Sequence, residues 1–291
     1  MKLRHSLATL LTGLALAGCL ALSFAANPIP AETKQGGFAI GPQAYSFNRF
    51  TAFEAIEKAE QAGAKVIEFY PGQKLSPDKA DKKLHHTMSD EDFKVLQEKL
   101  AKHGVKAINY GVVGGKDEAE WRQIFEFAKK LGLYAITTED VKNLDIIEKL
   151  VKEYDIKVGY HEHAKRPLDR SYEIWDPNFV AKMVKDRDPR IGACADTGHW
   201  ATSGLVPVDC LKILKGRIIS VHLKDRPEIG KQLPDTIYGT GVSDVAGCLA
   251  ELKAQGFEGN ISVEYENKWE DNVGDIKQCI EFVKAWGEKN K

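Results

Sequence analysis

The chain has 291 residues, with 41 Lys and Arg against 42 Asp and Glu, and 43% of it is hydrophobic. That apolar share is ample for a large core and excludes disordered and fibrous classes. A formal net charge of −1 argues against a nucleic-acid binder that relies on a broad basic face.

Met1–His5 carries Lys2, Arg4 and His5, and Ser6–Ala26 then holds no charge. A basic start, an apolar middle and small residues before Asn27-Pro28-Ile29-Pro30 are the layout of an export signal over residues 1–26. Two cuts compete. Cleavage near Ala25 or Ala26 releases a soluble protein, whereas Leu16-Ala17-Gly18-Cys19 reads as a lipobox that leaves Cys19 lipidated. Leu20–Ala26 is apolar rather than tether-like, which favours release. Either cut places the mature chain, with its barrel over residues 27–291, in the periplasm, with no membrane contact beyond that anchor.

From Phe38 onward, short β-branched runs alternate with amphipathic stretches. Strands are expected at Phe38–Ser46, Lys65–Tyr70, Val105–Val112, Tyr134–Thr138, Lys157–His161, Ile191–Asp196, Ile218–Leu223 and Asn260–Tyr265. Helices are expected between and after them, at Ala52–Ala62, Glu91–His103, Glu118–Leu131, Leu144–Glu153, Asn178–Lys185, Val208–Leu214, Ser243–Gln255 and Ile276–Trp286. The clearest helix has Ser89 as its N-cap and Gly104 just past its end. His85-His86 falls in a charged loop and is expected to be solvated. Alternating strands and helices imply parallel pairing. Eight such units with no intervening linker define an α/β chain folded as a single (β/α)8 barrel. Cys194, Cys210, Cys248 and Cys279 show no CxxC spacing and are expected as buried small side chains rather than a metal site.

In such barrels the chemistry sits at the C-terminal ends of the strands. Those ends carry Glu68, Asn109, Glu139, His161, His163, Asp196, His199, His222, Glu264 and Glu266. Alternate strand residues face opposite sides. Gly192, Cys194 and Asp196 therefore share one face, as do Ser220 with His222, Ser262 with Glu264 and Glu266, and Gly159 with His161 and His163. The larger apolar residues of the same strands, including Ile219 with Val221 and Leu223, take the face toward the helices. Several carboxylates and imidazoles thus converge on one mouth, and they cannot all stay charged at close range without a cation. A donor set of Asp, Glu and His without thiolates suits Mn, Co, Fe, Mg or Zn.

The segments Cys194-Ala195-Asp196-Thr197-Gly198-His199, Val221-His222-Leu223-Lys224-Asp225 and Ile261-Ser262-Val263-Glu264-Tyr265-Glu266 resemble the xylose isomerase-like barrels. These include sugar phosphate isomerases and epimerases, inosose dehydratases, ketose epimerases and endonuclease IV-type proteins. The resemblance implies a divalent metal ion, with Asp196, His222 and Glu264 as ligands from the sixth, seventh and eighth strands. The fifth strand departs from the epimerase pattern, since Tyr160-His161-Glu162-His163 stands where epimerases use a glutamate as one of two acid/base carboxylates. That form is similar to the inosose dehydratase branch, which implies Glu139 as the fourth ligand, with His161 as the alternate.

The expected function is a metal-dependent isomerase or epimerase on an unphosphorylated sugar or keto-sugar. A base removes the proton α to a carbonyl and leaves an enediolate stabilised by the metal. The alternative is β-elimination at the same site, as in an inosose-type dehydratase or keto-glycoside lyase. A more remote alternative is an endonuclease IV-like phosphodiesterase, which would need more histidines on the third and fourth strands. His163 is the expected base with His161 beside it, and Lys224 the expected donor to the developing oxyanion. Glu68, Asn109, His199, Trp200 and Glu266 are expected to read substrate hydroxyls or rings. The partner is a small sugar and not a nucleic acid; the identity of the sugar, the metal and the oligomeric state stay open.

Overall fold

Residues 28–291 are described by a computed structural model; the export signal and lipobox read at residues 1–26 lie outside them. In chain order the strands are β1 (Ala39–Pro42), β2 (Val66–Phe69), β3 (Lys74–Ser76), β4 (Lys79–Lys83), β5 (Lys106–Tyr110), β6 (Ala135–Thr138), β7 (Lys157–His161), β8 (Ile191–Asp196), β9 (Ile218–Leu223) and β10 (Asn260–Val263). The helices are α1 (Ala52–Gln61), α2 (Asp90–His103), α3 (Glu118–Leu131), α4 (Leu144–Tyr154), α5 (Pro177–Val184), α6 (Thr197–Thr202), α7 (Pro207–Ile213), α8 (Val245–Ala254) and α9 (Val273–Lys289).

Eight strands pair in parallel in the order β1-β10-β9-β8-β7-β6-β5-β2. A parallel bridge between Gln43 and Glu68 joins the two ends of that order, so the sheet curls into the expected (β/α)8 barrel. Local signals set the helix ends. Thr51 and Glu54 form a reciprocal capping box at α1, and Ser89 accepts from the Asp92 amide at α2. Gly104 stops α2 in the left-handed region, at φ 62°, which a side chain would resist.

Three features depart from the sequence reading. The run after Phe38 is shorter as a strand, because Ala44–Phe47 tightens into a 3-10 turn capped by Gln43. Part of the expected charged loop is the antiparallel hairpin β3–β4, and beyond it His86 is buried rather than solvated, with Nδ1 3.5 Å from the Tyr110 hydroxyl. Pairing between β8 and β9 slips by one residue near Ile218. A bulge of this kind reverses the facing of the extra residue. Ile219 accordingly packs with Ala39, Val66, Ile108 and Ala135 in a small cluster separate from the main core, while Val221 and Leu223 join the main core.

The four cysteines among the described residues are free and buried. No helix among the described residues is long and apolar enough to cross a membrane.

Candidate active site

Asp196 ends β8 and caps the helix that follows. Its Oδ1 accepts the His199 amide at 2.8 Å, which leaves Oδ2 to face the barrel mouth. Around Oδ2 lie Lys224 Nζ at 3.3 Å, His161 Nε2 at 3.4 Å, His199 Nε2 at 3.7 Å and His222 Nδ1 at 3.8 Å. Glu264 follows β10, with Oε2 2.7 Å from Lys224 Nζ and 3.3 Å from His222 Nδ1. Buried ligand-type atoms of His161, Asp196, His199 and Glu264 all lie within 4.8 Å of one another. Above them is a cavity of about 300 Å³ lined in part by Gln43, Tyr45, Tyr70, Glu139, His163 and Glu266.

The electrostatics divide this cluster. Burial alone would raise the Asp196 carboxyl, but the Lys224 ammonium and the hydrogen bond from His161 outweigh it and hold the group well below the usual carboxylate range. Glu264 is likewise held down against its burial by Lys224 and His222. Lys224 is wholly buried, yet Asp196, Glu264 and Glu266 overcome the cost of burial and keep it charged. Room for its stem depends on Gly198, where a Cβ would come within 2.6 Å of Lys224 Cβ. Burial pushes His199 well below the ordinary imidazole value, and Lys224 adds to that against the pull of Asp196. His163 is lowered by burial and then by His161. Both rings therefore stay neutral near pH 7, with a free lone pair each.

The donor set suits a divalent cation. It combines two anionic carboxylates with imidazoles and no thiolate, and of these imidazoles His161 is drawn up to about 10 by Asp196 and Glu139 against its burial. His222 Nδ1 is buried, makes no hydrogen bond and faces Asp196 and Glu264. Two of the histidines have what a ligating imidazole needs, the other nitrogen on a carboxylate: His222 Nε2 is 3.1 Å from Glu68 Oε1, and His161 Nδ1 is 2.9 Å from Glu139 Oε1, whereas His199 Nδ1 is buried with no partner.

Of the residues read as ligands, Asp196, His222 and Glu264 meet at the mouth. Glu139 lines the cavity, but both of its oxygens are engaged, by His161 and by the Tyr172 hydroxyl at 3.0 Å. His161, His163, His199 and Glu266 also line the cavity, whereas Glu68, Asn109 and Trp200 do not. Glu68 and Asn109 are buried and linked through Asn260 and Ser262. Trp200 follows His199 on α6, and one residue is about 100° of helical rotation, so its indole packs in the main core instead. Lys224 has its ammonium among three carboxylates and is not part of the cavity lining.

The sequence reading missed Arg226 and Asp235, a buried ion pair at 3.1 Å. Arg226 also reaches Glu266, and Asp235 accepts the Glu266 amide at 2.7 Å. They belong to the long segment between β9 and α8, where no periodicity marks them.

A parallel (β/α)8 barrel whose strand ends gather carboxylates and imidazoles beneath one cavity belongs to the class of barrel enzymes that act on small molecules at that face. More narrowly, the chain belongs to the xylose isomerase-like TIM barrel family, whose profile matches residues 56–286. It is similar to the inosose dehydratase of Clostridium tetani (strain Massachusetts / E88), with 28% identity over 170 residues, 51% of this chain and 48% of that protein. The matched region thus spans about half the length of that curated relative. A solved uncharacterised protein from Parabacteroides distasonis ATCC 8503 is 32% identical, with a TM-score of 0.69 over 85% of this chain and 98% of the other. A D-tagatose 3-epimerase-like protein shares the fold at 19% identity, with a TM-score of 0.67 over 86% and 97% of the two chains.

Proposed function

We propose that the chain is a divalent-metal-dependent enzyme that removes the proton beside a carbonyl of an unphosphorylated sugar or keto-sugar, and then expels an oxygen from the next carbon. The observation that carries this reading is the gathering of His161, Asp196, His199 and Glu264 within 4.8 Å on the floor of the cavity. A divalent cation held there would act as a Lewis acid on the carbonyl and make the neighbouring C–H acidic. The residues of the chain do the rest. His163, neutral and facing the cavity, takes the proton as general base and returns it to the departing oxygen, which leaves as water or an alcohol. Glu139 orients His161 through Nδ1, and Glu68 does the same for His222. Lys224 acts as a fixed positive charge that keeps Asp196 and Glu264 ionised.

Elimination is favoured over epimerisation by two facts. The fifth barrel strand carries His161, where a two-carboxylate epimerase needs a glutamate, and the curated relatives are inosose dehydratases. One observation favours isomerisation or epimerisation as a second reading. Glu266 lines the same cavity as His163 from a strand end three places further round the barrel, so it could return a proton from another side. Residues 1–26, read as an export signal, would put the reaction in the periplasm, where phosphorylated sugars are scarce.

Incubation of metal-loaded protein in D₂O with 3-keto-glucosides and free ketoses, followed by NMR, tests the proposal. Elimination predicts release of the aglycone. Deuterium wash-in without release supports the second reading. Neither result, with the metal site filled, would reject the chemistry for these substrates.

A further inference from the structure

The cavity continues outward along an aromatic strip that the reaction itself does not need. Tyr70 and Tyr45 line the cavity, and their rings meet edge-on at 5.3 Å. Tyr45 meets Trp269 in turn, at 6.0 Å and 86°. Trp269 lines a second, outer groove of about 380 Å³ with Arg49, Lys268, Glu270 and Asp271. Tyr70 packs against the main core, but Tyr45 and Trp269 are not among the rings that do, and Tyr45 is 40% exposed. These two rings therefore cover little of the protein's own interior.

The turn that presents Trp269 is braced. Lys268 sits in the left-handed region at φ 45°, a conformation that persists in a non-glycine residue only where its surroundings impose it. Its ammonium pairs with Asp275 at 2.8 Å, and its carbonyl accepts the Asp271 amide at 2.8 Å. Asn272 donates to the Ser46 carbonyl at 2.7 Å, which ties the Trp269 turn to the turn that carries Tyr45. Charges in the outer groove are largely matched within the protein, since Arg49 lies 4.0 Å from Glu270 and Lys268 is paired. An uncharged ring face suits such a surface better than an ion does.

We propose that Tyr45 and Trp269 form an outer subsite for the non-reacting ring of a glycoside, either an aromatic aglycone or a second sugar ring, while the reacting ring occupies the inner cavity. This rests on the proposed sugar chemistry for the inner site, but it can be tested without turnover. Calorimetric titration would compare methyl β-glucoside, 4-nitrophenyl β-glucoside and cellobiose on the wild type, Trp269→Ala and Trp269→Phe. The wild type should bind the nitrophenyl glucoside or cellobiose about three- to tenfold tighter than the methyl glucoside, the range a ring contact supplies. Whichever of the two gains identifies the kind of ring. Trp269→Ala should reduce that preference to less than about twofold, and Trp269→Phe should keep most of it. An absent preference in the wild type, or one unchanged in Trp269→Ala, overturns the subsite. Because these probes do not react, loss of the preference and loss of the D₂O exchange are separate results.

Discussion

On the side of the mouth built by β7 and β8 the ionisable groups are mainly imidazoles. The rings of His163 and His199 lie 4.0 Å apart, and His161 lies 5.8 and 5.5 Å from them. On the side built by β9 and β10, buried Lys224 and Arg226 alternate with Glu264, Glu266 and Asp235. Asp196 belongs to both. Burial acts on the two sides in opposite ways. It lowers His163 and His199, though not His161, which Asp196 and Glu139 draw up to about 10, and it is outweighed at Lys224, which has three carboxylates around it. One side offers the lone pairs of His163 and His199 to a proton or a metal, and the other supplies Lys224, whose charge holds Asp196 and Glu264 ionised, while burial raises Asp235 to about 7.

The largest expected effect comes from the imidazole side. His163→Gln should lower turnover by about 10²- to 10⁴-fold in single-turnover kinetics while metal content is retained. An unchanged rate would move the base to another residue. On the ion-paired side, Arg226→Met should instead act on stability. Burial raises the Asp235 carboxyl to about 7, so at pH 8, where it is ionised, leaving it without its partner should cost about 3–5 kcal/mol in urea unfolding; a loss under about 1 kcal/mol would mean that this side is not held by its ion pairs.

Glu139→Gln distinguishes orientation from ligation. If Glu139 only orients His161, metal affinity should fall by about 10- to 100-fold, whereas a direct ligand would cost more.

A smaller effect lies outside both regions. His86 is lowered to about 4 by burial and then by the neighbouring His85, against an ordinary value of 6.5. The unfolded chain takes up that proton first, so stability should fall as pH drops from 6.5 toward 4. His86→Phe should flatten this slope by about 1 kcal/mol per pH unit, measured by urea unfolding at both ends of the range. An equal slope in the variant would assign the acid sensitivity elsewhere.

Much of the barrel was legible because its strands are apolar runs bounded by turns and its helices carry caps, as at Ser89 and Gly104. The β3–β4 hairpin was not, since Lys79-Ala80-Asp81-Lys82-Lys83 has no apolar face to mark it as a strand. Parity along the strands brought Asp196, His222 and Glu264 to one mouth, but it could not foresee the one-residue slip that turns Ile219. The bond between Glu68 and His222 joins residues 154 apart in the chain, and pairings of that kind carry no local signal. Trp200 shows the limit within a single turn, because the chain bends at Asp196 from strand to helix and the alternation that held through β8 no longer applies.

The proposed chemistry requires one divalent cation at the mouth, between its two sides. Calorimetric titration of metal-free protein with Mn²⁺ tests it, with Asp196→Ala and His199→Ala measured alongside. One ion per chain is expected in the wild type, with a loss of affinity of at least about 100-fold in each variant. A wild type that binds no ion, or variants that bind as tightly as the wild type, would contradict it.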